Sequence, residues 1–291
     1  RCTHIGLCGS NRGPFLAEGV WDQGKWPLKL GWTGHENVGI VAQSRNPDWR
    51  EGMRVLGQAK GYDGFTEYIA CQPSTLHRLP DNGDIASYVV AQPVATVLCA
   101  LARTRPVIGE SCAVLGQGPI GLIFTYLLRQ MGAVRVIAAD SVPWRLEWAE
   151  RLGATDVVDT SQTDVVQAVN DLTGNQRVDF CIEAVGHEET YIQAAYLPRH
   201  RGRLCVFGVP HFEMQSFPWL HTTGNETEIV ISRGKGWTDY ADAAIALLDG
   251  PYAALKSIAT PTLPWEQAEQ AFRMYVYPAD YRDSLKILLE L

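Results

Sequence analysis

A thiol, an imidazole and a carboxylate stand near the start of the chain in two short glycine-containing motifs. Cys8 begins the motif CGS, and His35 and Glu36 lie in GHENVG, just before an apolar segment. These ligand types can hold a catalytic zinc ion and leave a position open for water or a substrate. Such an ion would lower the pKa of a bound alcohol, whose proton Ser10 could carry away. The alternative is a buried thiol beside a hydrogen-bonded His–Glu pair, and the spacing alone does not decide between the two.

The motif GQGPIG has the spacing of a dinucleotide-binding turn. Gly116 permits the tight turn, Gly118 lets the backbone approach a pyrophosphate, and Gly121 lets the next helix pack on its strand. Pro119 and Ile120 lie in the turn before that helix, whose free N–H groups attract phosphate. The apolar strand before the motif and the helix after it favour a dinucleotide site over a chance turn.

Asp140 lies 24 residues beyond Gly116, at the end of the next predicted strand. A carboxylate there accepts hydrogen bonds from both ribose hydroxyls and repels a 2′-phosphate, which favours NAD over NADP. The alternative is a helix N-cap. We place the adjacent Ser141 at the same site, together with Arg145, which could pair with a phosphate although its spacing favours the exposed face of a helix.

Further cofactor contacts are expected where two later strands end. Val185, followed by Gly186, ends one predicted strand, and Gly208 and Val209 end the next. Ligands of parallel sheets bind beyond the carboxyl ends of the strands. We therefore predict that these residues approach the cofactor.

The elements that position these motifs fall into two predicted domains, and a chain of 291 residues is long enough for both. Residues 1–94 contain the alternating runs GIVAQ, MRVLGQ and GFTEYIAC, which predict an irregular β-domain, in the form of a small barrel. Residues 95–235 alternate strands with helices, which indicates a parallel sheet covered on both faces. Residues 236–291 predict two helices and a last strand that returns to the first domain. The predicted fold class is therefore α/β.

The predicted strands of the second domain are 111–115, 135–140, 156–158, 178–185, 203–209 and 228–232. A predicted helix over 89–101 runs toward this domain. Its own predicted helices are 122–131, 143–152, 164–172 with Thr160 as a possible cap, and 188–197.

The composition of the chain limits the kinds of partner that the protein can have. The net charge of −7 argues against nucleic acid or an anionic membrane. We find neither a signal peptide nor an apolar run near the about 18 residues that span a bilayer. The seven cysteines include no CxxC pair, which favours a reduced, cytoplasmic protein. Arg1 already lies in strand-like sequence, so we expect the natural chain to start further upstream.

Taken together, the motifs resemble the zinc-dependent medium-chain dehydrogenases, which include alcohol, sorbitol and threonine dehydrogenases. The resemblance runs over essentially the whole chain and rests on CGS, GHENVG, EGMRVLG, GFTEYI, LPD, the dinucleotide turn, RLEWAERLGA and VDFCIEAVG. It implies a GroES-like barrel and a Rossmann domain with the active site in the cleft between them. It also implies that Cys8 and His35 bind zinc, that Glu36 does so in some members or states, and that the protein is a homodimer or homotetramer.

Departures from the family pattern concentrate around the metal. The segment between Val55 and Phe65 lacks the four cysteines that bind a structural zinc in many members, so we expect a single, catalytic zinc. Asn11 replaces the usual aspartate and Gly13 a relay histidine. Gln92 stands at the last ligand position, often a glutamate in the polyol branch, and is a poor zinc ligand. Each change removes a charge or a proton carrier.

In this family the segment between the two metal motifs helps to wall the substrate cleft. Trp21, Trp26 and Trp32 lie there, and the alternative for all three is packing on the barrel. Trp32 is the best pocket candidate because it is nearest to His35, and Gln92 is a second. The resemblance implies NAD-dependent, zinc-assisted oxidation of a secondary alcohol of the polyol or sugar-alcohol type, on a small alcohol or carbonyl substrate. Two alternatives stay open: a metal-free quinone or enoyl reductase, and an NAD-binding protein that has lost catalysis.

Overall fold

The computed structural model describes residues 1–18, 27–210, 214 and 216–291, so Trp21 and Trp26 lie outside the described residues. The chain divides into two compact units. The first unit comprises residues 1–95 and 236–291, and the second comprises residues 96–235. The first boundary lies one residue beyond the predicted one, and the second coincides with the prediction.

Strands and helices are numbered in chain order. The strands are β1 (Cys2–Gly6), β2 (Asn37–Ile40), β3 (Arg54–Gly57), β4 (Leu76–Arg78), β5 (Ser111–Leu115), β6 (Arg135–Asp140), β7 (Asp156–Asp159), β8 (Val178–Glu183), β9 (Pro198–Val206), β10 (Glu228–Ile231), β11 (Thr262–Pro264) and β12 (Leu288–Glu290). The α-helices are α1 (Arg12–Leu16), α2 (Ala91–Thr104), α3 (Pro119–Gln130), α4 (Pro143–Arg151), α5 (Val165–Leu172), α6 (Glu188–Tyr196), α7 (Trp219–Gly224), α8 (Ala241–Asp249) and α9 (Ala268–Val276). Short 3-10 helices are Gly9–Asn11, Pro73–Thr75, Ala86–Val90, Trp237–Tyr240, Ala253–Ile258, Trp265–Gln267 and Pro278–Asp280.

The first unit is built on a six-stranded sheet with the order β11-β12-β1-β2-β3-β4. Neighbouring strands are antiparallel except β11 and β12. The last strand returns to this sheet as predicted, because Ile287 and Leu289 pack in one core with Ile5 and Leu7. Within the described residues no pairing joins β4 to β11, so the hydrogen-bonded sheet is open.

One predicted strand of the first unit is wrong. The run GFTEYIAC, residues 64–71, forms no regular strand, although Asp63 makes an isolated bridge to Gly34. Two glycines come together there, since a Cβ on Gly64 would lie 2.6 Å from the carbonyl oxygen of Gly34. This close approach suits an irregular backbone better than a pleated strand.

The second unit contains a six-stranded parallel sheet with the order β10-β9-β8-β5-β6-β7, which is the strand order of a Rossmann fold. The predicted α/β class is confirmed. The core around this sheet is apolar, as the near-continuous hydrophobic strands predict. Several bounds differ from prediction: α3 begins at Pro119 rather than 122, β8 ends at Glu183 rather than 185, and β9 covers Pro198–Val206 rather than 203–209. The cap of α5 is Asp164, which accepts the N–H of Gln167 at 2.8 Å.

The residues from 86 to 104 form a longer apolar helical stretch than the predicted 89–101. It has 19 residues, and an 18-residue window within it has a mean hydropathy of 1.3. By length and composition alone it could therefore cross a membrane, which corrects the expectation that no apolar run is long enough. However, 78% of its most apolar window is buried by the protein. That environment is the one expected of a core helix.

Candidate active site

The CGS and GHE motifs meet beside two neighbouring strands of the first unit. β1 and β2 run antiparallel with Ile5 opposite Asn37, so the residues after β1 lie beside the residues before β2. This register brings together the side chains of Cys8, His35 and Glu36. Their potential ligand atoms all lie within 4.8 Å of one another.

Cys8 and His35 are hydrogen-bonded to each other and shift each other's proton affinity. Burial and the Glu36 carboxylate raise the pKa of the Cys8 thiol, but the charge and hydrogen bond of His35, with the charge of Lys286, outweigh them and lower it. Burial lowers the pKa of His35, whereas the Cys8 thiolate, Glu36 and the carbonyl of Thr33 raise it to about 9. Without a metal, the pair therefore favours a thiolate beside an imidazolium.

The backbone of Thr33 fixes the orientation of the His35 ring. Nδ1 of His35 lies 2.7 Å from the carbonyl oxygen of Thr33, and because a carbonyl only accepts, Nδ1 carries the proton. The other ring nitrogen, Nε2, then has its lone pair available to a metal once the ring is neutral. A ligand histidine held through its second nitrogen keeps both its tautomer and its ring direction.

Asn11 ties the two motifs together. Its Oδ1 accepts the N–H of Cys8 at 2.7 Å, and its Nδ2 donates to Oγ1 and O of Thr33 at 2.5 and 3.2 Å. The side chain is buried. Although Asn11 lacks the charge of the usual aspartate, it links the backbone of one predicted ligand to the residue that orients another.

Glu36 contacts a charged residue that the sequence motifs do not reveal. Nζ of Lys286 lies 2.9 Å from Oε1 and 2.8 Å from Oε2 of Glu36, and it donates to the carbonyl of Leu7 at 2.8 Å. Burial lowers the pKa of Lys286, but Glu36 and Cys8 outweigh it and raise that pKa above its usual range. A lysine in the otherwise apolar run LKILL is the signal that could have found it.

Gly6 makes room for this buried pair. A Cβ at Gly6 would lie 2.6 Å from Oε2 of Glu36 and 3.2 Å from Cδ of Lys286. Both distances are tighter than ordinary side-chain contacts, so any larger residue at position 6 would displace the carboxylate or the lysine.

The dinucleotide motif forms the predicted turn at the carboxyl end of β5. Gly116 has a φ of 89°, which side chains rarely adopt. A Cβ on Gly121 would lie 1.7 Å from the carbonyl oxygen of Gly116, so only glycine fits there. Gly118 caps α3, which begins at Pro119 and continues through Ile120 with its N-terminus at the turn.

Asp140, which is 7% exposed, lies at the end of β6 directly against this turn. Its Oδ2 accepts the N–H of Gln117 at 2.5 Å and its Oδ1 accepts the N–H of Val142 at 2.9 Å. The second bond is the local cap contact considered as the alternative, and the first joins Asp140 to the glycine turn. The adjacent Ser141 is exposed.

The prediction that Arg145 lies on an exposed helix face is wrong. Its side chain is 17% exposed, and its Nη1 lies 3.8 Å from Oδ2 of Asp140. The first turn of α4 follows β6 so closely that a residue five positions after Asp140 turns back toward it. Arg145 therefore supplies a positive charge beside the predicted ribose ligand.

The loops after β8 and β9 lie beside the glycine turn. A Cβ on Gly116 would lie 2.6 Å from Cγ2 of Val185, and a Cβ on Gly186 would lie 2.7 Å from the carbonyl oxygen of Val209. A Cβ on Gly208 would lie 2.3 Å from the nitrogen of Gly186. The fold thus brings the predicted cofactor residues to one edge of the sheet, near the point between β5 and β8 where the strand order reverses.

A buried glutamate holds the first of these loops. Oε1 of Glu183 accepts the N–H groups of Val185 and Gly186 at 2.9 and 2.8 Å and the hydroxyl of Thr190 at 2.8 Å. Burial raises the pKa of Glu183 despite these bonds. The sequence motif VDFCIEAVG contains this residue, but its spacing does not reveal the role.

Known proteins resemble this chain in sequence and in structure. Residues 119–250 match the family model described as zinc-binding dehydrogenase. The chain is 28% identical over 146 residues to sorbitol dehydrogenase of Bacillus subtilis (strain 168), covering 50% of this chain and 41% of that protein. It is 37% identical over 137 residues to (R,R)-butanediol dehydrogenase of the same strain, covering 47% and 39%. It resembles the structure of alcohol dehydrogenase TADH from Thermus sp. ATN1 with a TM-score of 0.82 and 26% identity, covering 100% of this chain and 92% of that one.

The chain belongs to the zinc-binding dehydrogenases. The matched segments span less than half the length of the two Bacillus relatives, at 41% and 39%.

The donors of this zinc-binding dehydrogenase suit the metal that the family name implies. A thiolate, an imidazole nitrogen and a carboxylate oxygen are ligands that zinc accepts at about 2.0–2.3 Å. Oε2 of Glu36 is buried and, apart from its ion pair with Lys286, has no hydrogen-bond partner within the described residues. This oxygen therefore keeps an electron pair that it can give to a metal. The carboxylate would therefore share its charge between the ammonium and the metal.

The remaining predicted residues of the metal and substrate site, Ser10, Trp32 and Gln92, differ in how far they are exposed to solvent. Ser10 is exposed in the 3-10 turn that follows Cys8. Trp32 is half-buried next to Thr33, and Gln92 is buried in the first turn of α2.

A cavity of about 810 Å³ lies elsewhere in the first unit, along β2 and the loop that follows it. None of the three predicted ligands lines it. The chemistry is therefore assigned to the ligand cluster rather than to this opening.

Proposed function

We propose that this chain is an NAD-dependent, zinc-assisted dehydrogenase that oxidises a secondary alcohol of the polyol or sugar-alcohol class. The observation that carries the proposal is the cluster of Cys8, His35 and Glu36, with donor atoms within 4.8 Å of one another. The names of two relatives, sorbitol dehydrogenase and (R,R)-butanediol dehydrogenase, support the substrate class.

The chain's own residues prepare this reaction in separate ways. Zinc, when bound by Cys8, His35 and Glu36, supplies positive charge that polarises the C–O bond of the alcohol. The lowered pKa of Cys8 keeps a thiolate ready as ligand, and Thr33 holds the Nδ1 proton of His35 so that Nε2 is left to the metal. The exposed hydroxyl of Ser10 takes up the alcohol proton and passes it to solvent.

NAD is the proposed hydride acceptor, held by the second unit. The turn from Gly116 to Gly121 offers N–H groups at the start of α3 to the pyrophosphate. Asp140 supports a preference for NAD, because its carboxylate would bind ribose hydroxyls and repel a 2′-phosphate. Ser141, Arg145, Val185, Gly208 and Val209 complete the proposed cofactor site.

We further propose that the protein lies in the cytoplasm and that it forms a homodimer or homotetramer. The seven cysteines are all free thiols, which supports a reducing compartment. β10 is an edge strand with Ile231 64% exposed, which supports pairing of the second unit with another copy.

A panel of secondary alcohols and polyols, assayed with NAD and NADP by cofactor absorbance, tests the function. Metal analysis of protein purified without added zinc accompanies it, with Cys8→Ser compared to Cys71→Ser, a half-buried thiol outside the cluster. We expect Cys8→Ser to lose both metal and activity and Cys71→Ser to keep both. Full activity in Cys8→Ser indicates a metal-free reductase, and tight NADH binding without turnover indicates a protein that has lost catalysis.

A further inference from the structure

A histidine and an aspartate form a pair at the edge of the first sheet, outside the ligand cluster. Nδ1 of His77, on β4, lies 2.9 Å from Oδ1 of Asp242, on α8. Because a carboxylate only accepts, Nδ1 carries the proton and Nε2 keeps a lone pair. The two residues are 165 positions apart, so no sequence motif indicates this pair.

Nε2 of His77 is a buried acceptor that has no hydrogen-bond partner within the described residues. The side chain is only 8% exposed, and the ring of Trp237 lies against it with centroids 5.6 Å apart. Buried polar atoms in native proteins nearly always have a partner, because burying one without a hydrogen bond costs stability. The nitrogen is therefore suited to accept a hydrogen bond from a bound molecule.

An opening of about 670 Å³ lies beside this histidine. His77 lines it, and so does one face of α8, because Asp242, Ile245, Ala246 and Asp249 follow the spacing of residues that share a helix face. A volume of this size is in the range of small-molecule sites, about 300–1,000 Å³.

The charged residues that line the opening favour a cation. Arg78 and Asp81 pair with each other, with Nη2 and Oδ2 3.0 Å apart, so their charges compensate. Asp249 accepts a hydrogen bond from the neutral hydroxyl of Tyr88 at 2.6 Å. In the part of the chain that the structure describes, neither Asp242 nor Asp249 forms an ion pair with a lysine or an arginine. Two carboxylates thus keep their negative charge beside the acceptor nitrogen.

The rest of the lining suits an organic cation better than a bare metal ion. Its apolar members are Trp49, Leu76, Leu79, Pro80, Ile245 and Ala246. Among the described residues, the ligand cluster of the candidate active site is the only group of three or more histidine, cysteine or acidic side chains placed to hold a metal. An apolar surface next to uncompensated carboxylates instead matches a positive group on a hydrocarbon chain.

We propose that this opening is a binding site for a primary amine carried on an apolar chain. The ammonium group donates a hydrogen bond to Nε2 of His77, and the carboxylates of Asp242 and Asp249 balance its charge. The chain packs on Leu79 and Ile245. An alkylammonium is charged at neutral pH, as a lysine side chain is, and it has donors but no acceptor. The site is separate from the ligand cluster and does not rest on the proposed function.

Titration with n-butylamine, followed by nitrogen NMR of the histidine rings, tests the site. The signals of His77 are those that His77→Phe removes. We expect the Nε2 signal to move as n-butylamine is added. 1-Butanol has the same length without the charge and should bind at least about 10-fold more weakly. Methylamine, which lacks the apolar chain, should also bind more weakly. Because His77 itself is the probe, an amine that binds at the ligand cluster does not disturb the measurement.

Two variants separate the site from a general effect of charge. Asp242→Asn keeps an acceptor for Nδ1 of His77 and removes one exposed carboxylate, so the affinity for n-butylamine should fall about 3-fold. Asp239→Asn makes the same change of charge at an exposed residue outside the opening and should leave the affinity unchanged. An Nε2 signal that does not move, equal losses in both variants, or equal binding of 1-butanol overturns the inference. A signal that moves with zinc chloride but not with the amine also overturns it, in favour of a metal.

Discussion

Lys286 lies with its Nζ 2.9 and 2.8 Å from the two carboxylate oxygens of Glu36, although the residues are 250 positions apart. Both side chains are almost completely buried, at 3% and 1% exposure. The ammonium compensates the carboxylate charge next to the thiolate of Cys8. It also limits how much negative charge Glu36 can give to a metal, so the pair sets the electrostatics of the ligand cluster.

Removing the lysine should be strongly destabilising. Lys286→Met leaves an uncompensated buried carboxylate, and breaking a buried ion pair in this way costs about 3–5 kcal/mol of the free energy of unfolding. Urea denaturation measures the change, with Lys60→Ala, at an exposed lysine of the same unit, as control. The double variant Glu36→Gln with Lys286→Met should recover much of the loss. A loss below about 1 kcal/mol in the single variant would contradict the pairing.

In the metal-free protein, the thiol of Cys8 should ionise at a lower pH than an ordinary cysteine. Burial raises the pKa of Cys8, but His35 and Lys286 outweigh it, whereas burial raises the pKa of Cys71 to about 11. When the ultraviolet absorbance of the thiolate is measured against pH, it should therefore rise in one step at a pH below that of an ordinary cysteine. Cys8→Ser should remove this step, and Cys71→Ser should keep it. His35→Gln should move that step to higher pH; a step that stays in place would count against the imidazole as its cause.

The stability of the metal-free protein should depend on the protonation of the same two residues, Cys8 and His35. His35 has a folded-state pKa raised from 6.5 to about 9, so its imidazolium stabilises the fold fully below about 6.5. That contribution is lost as the pH rises through about 9. The thiolate of Cys8 contributes in the opposite sense, because a group with a lowered pKa stabilises the fold more as the pH rises. Proton NMR of the ring therefore isolates the histidine: the His35 resonances should titrate near pH 9 in the metal-free wild type, and titration near 6.5 would exclude the ion pair with Cys8.

Cofactor choice should depend on Asp140. Asp140→Ala removes the carboxylate that would accept ribose hydroxyls, so NADH binding should weaken about 10–100-fold while NADPH binding weakens less or improves. Fluorescence titration of both cofactors measures the ratio. The control is Asp159→Asn, since Asp159 lies opposite Asp140 on the neighbouring strand. An unchanged NADH-to-NADPH ratio in Asp140→Ala would refute the assignment.

Glu183 should affect cofactor binding because it holds the loop after β8 in place. Glu183→Ala removes the acceptor for Val185, Gly186 and Thr190, and we expect NADH affinity to fall about 10-fold. Glu183→Gln keeps an acceptor oxygen and should bind NADH normally. Because the folded-state pKa is raised, ionisation of Glu183 destabilises the fold as pH rises through that pKa, so Glu183→Gln should flatten the acid end of the stability curve.

The parts of the site that depend on short-range geometry are predictable from the sequence. The GQGPIG turn and Asp140 follow from glycine conformation and from the rule that ligands gather at the carboxyl ends of parallel strands. Cys8 and His35 follow from ligand chemistry and the family motifs. Lys286 is not predictable, because only the assembled sheet brings it near its partner Glu36.

Arg145 shows the limit of helical periodicity. Periodicity indicates which residues share a face, but not which neighbouring strand covers that face. In the structure the end of β6 lies beside the first turn of α4, so Arg145 turns toward Asp140. The irregular 64–71 segment is a similar case, since the contact between Gly34 and Gly64 is invisible in the alternating pattern.

The pairing of β12 with β1 has a consequence for the order of events during synthesis. Residues of β1 leave the ribosome long before those of β12, whereas the second unit, residues 96–235, is continuous and can fold as soon as it emerges. Until Lys286 arrives, Glu36 lacks this counter-ion and the first sheet lacks an inner strand. A nascent chain therefore acquires its parallel-sheet unit first, and its ligand cluster matures only when translation has passed β12.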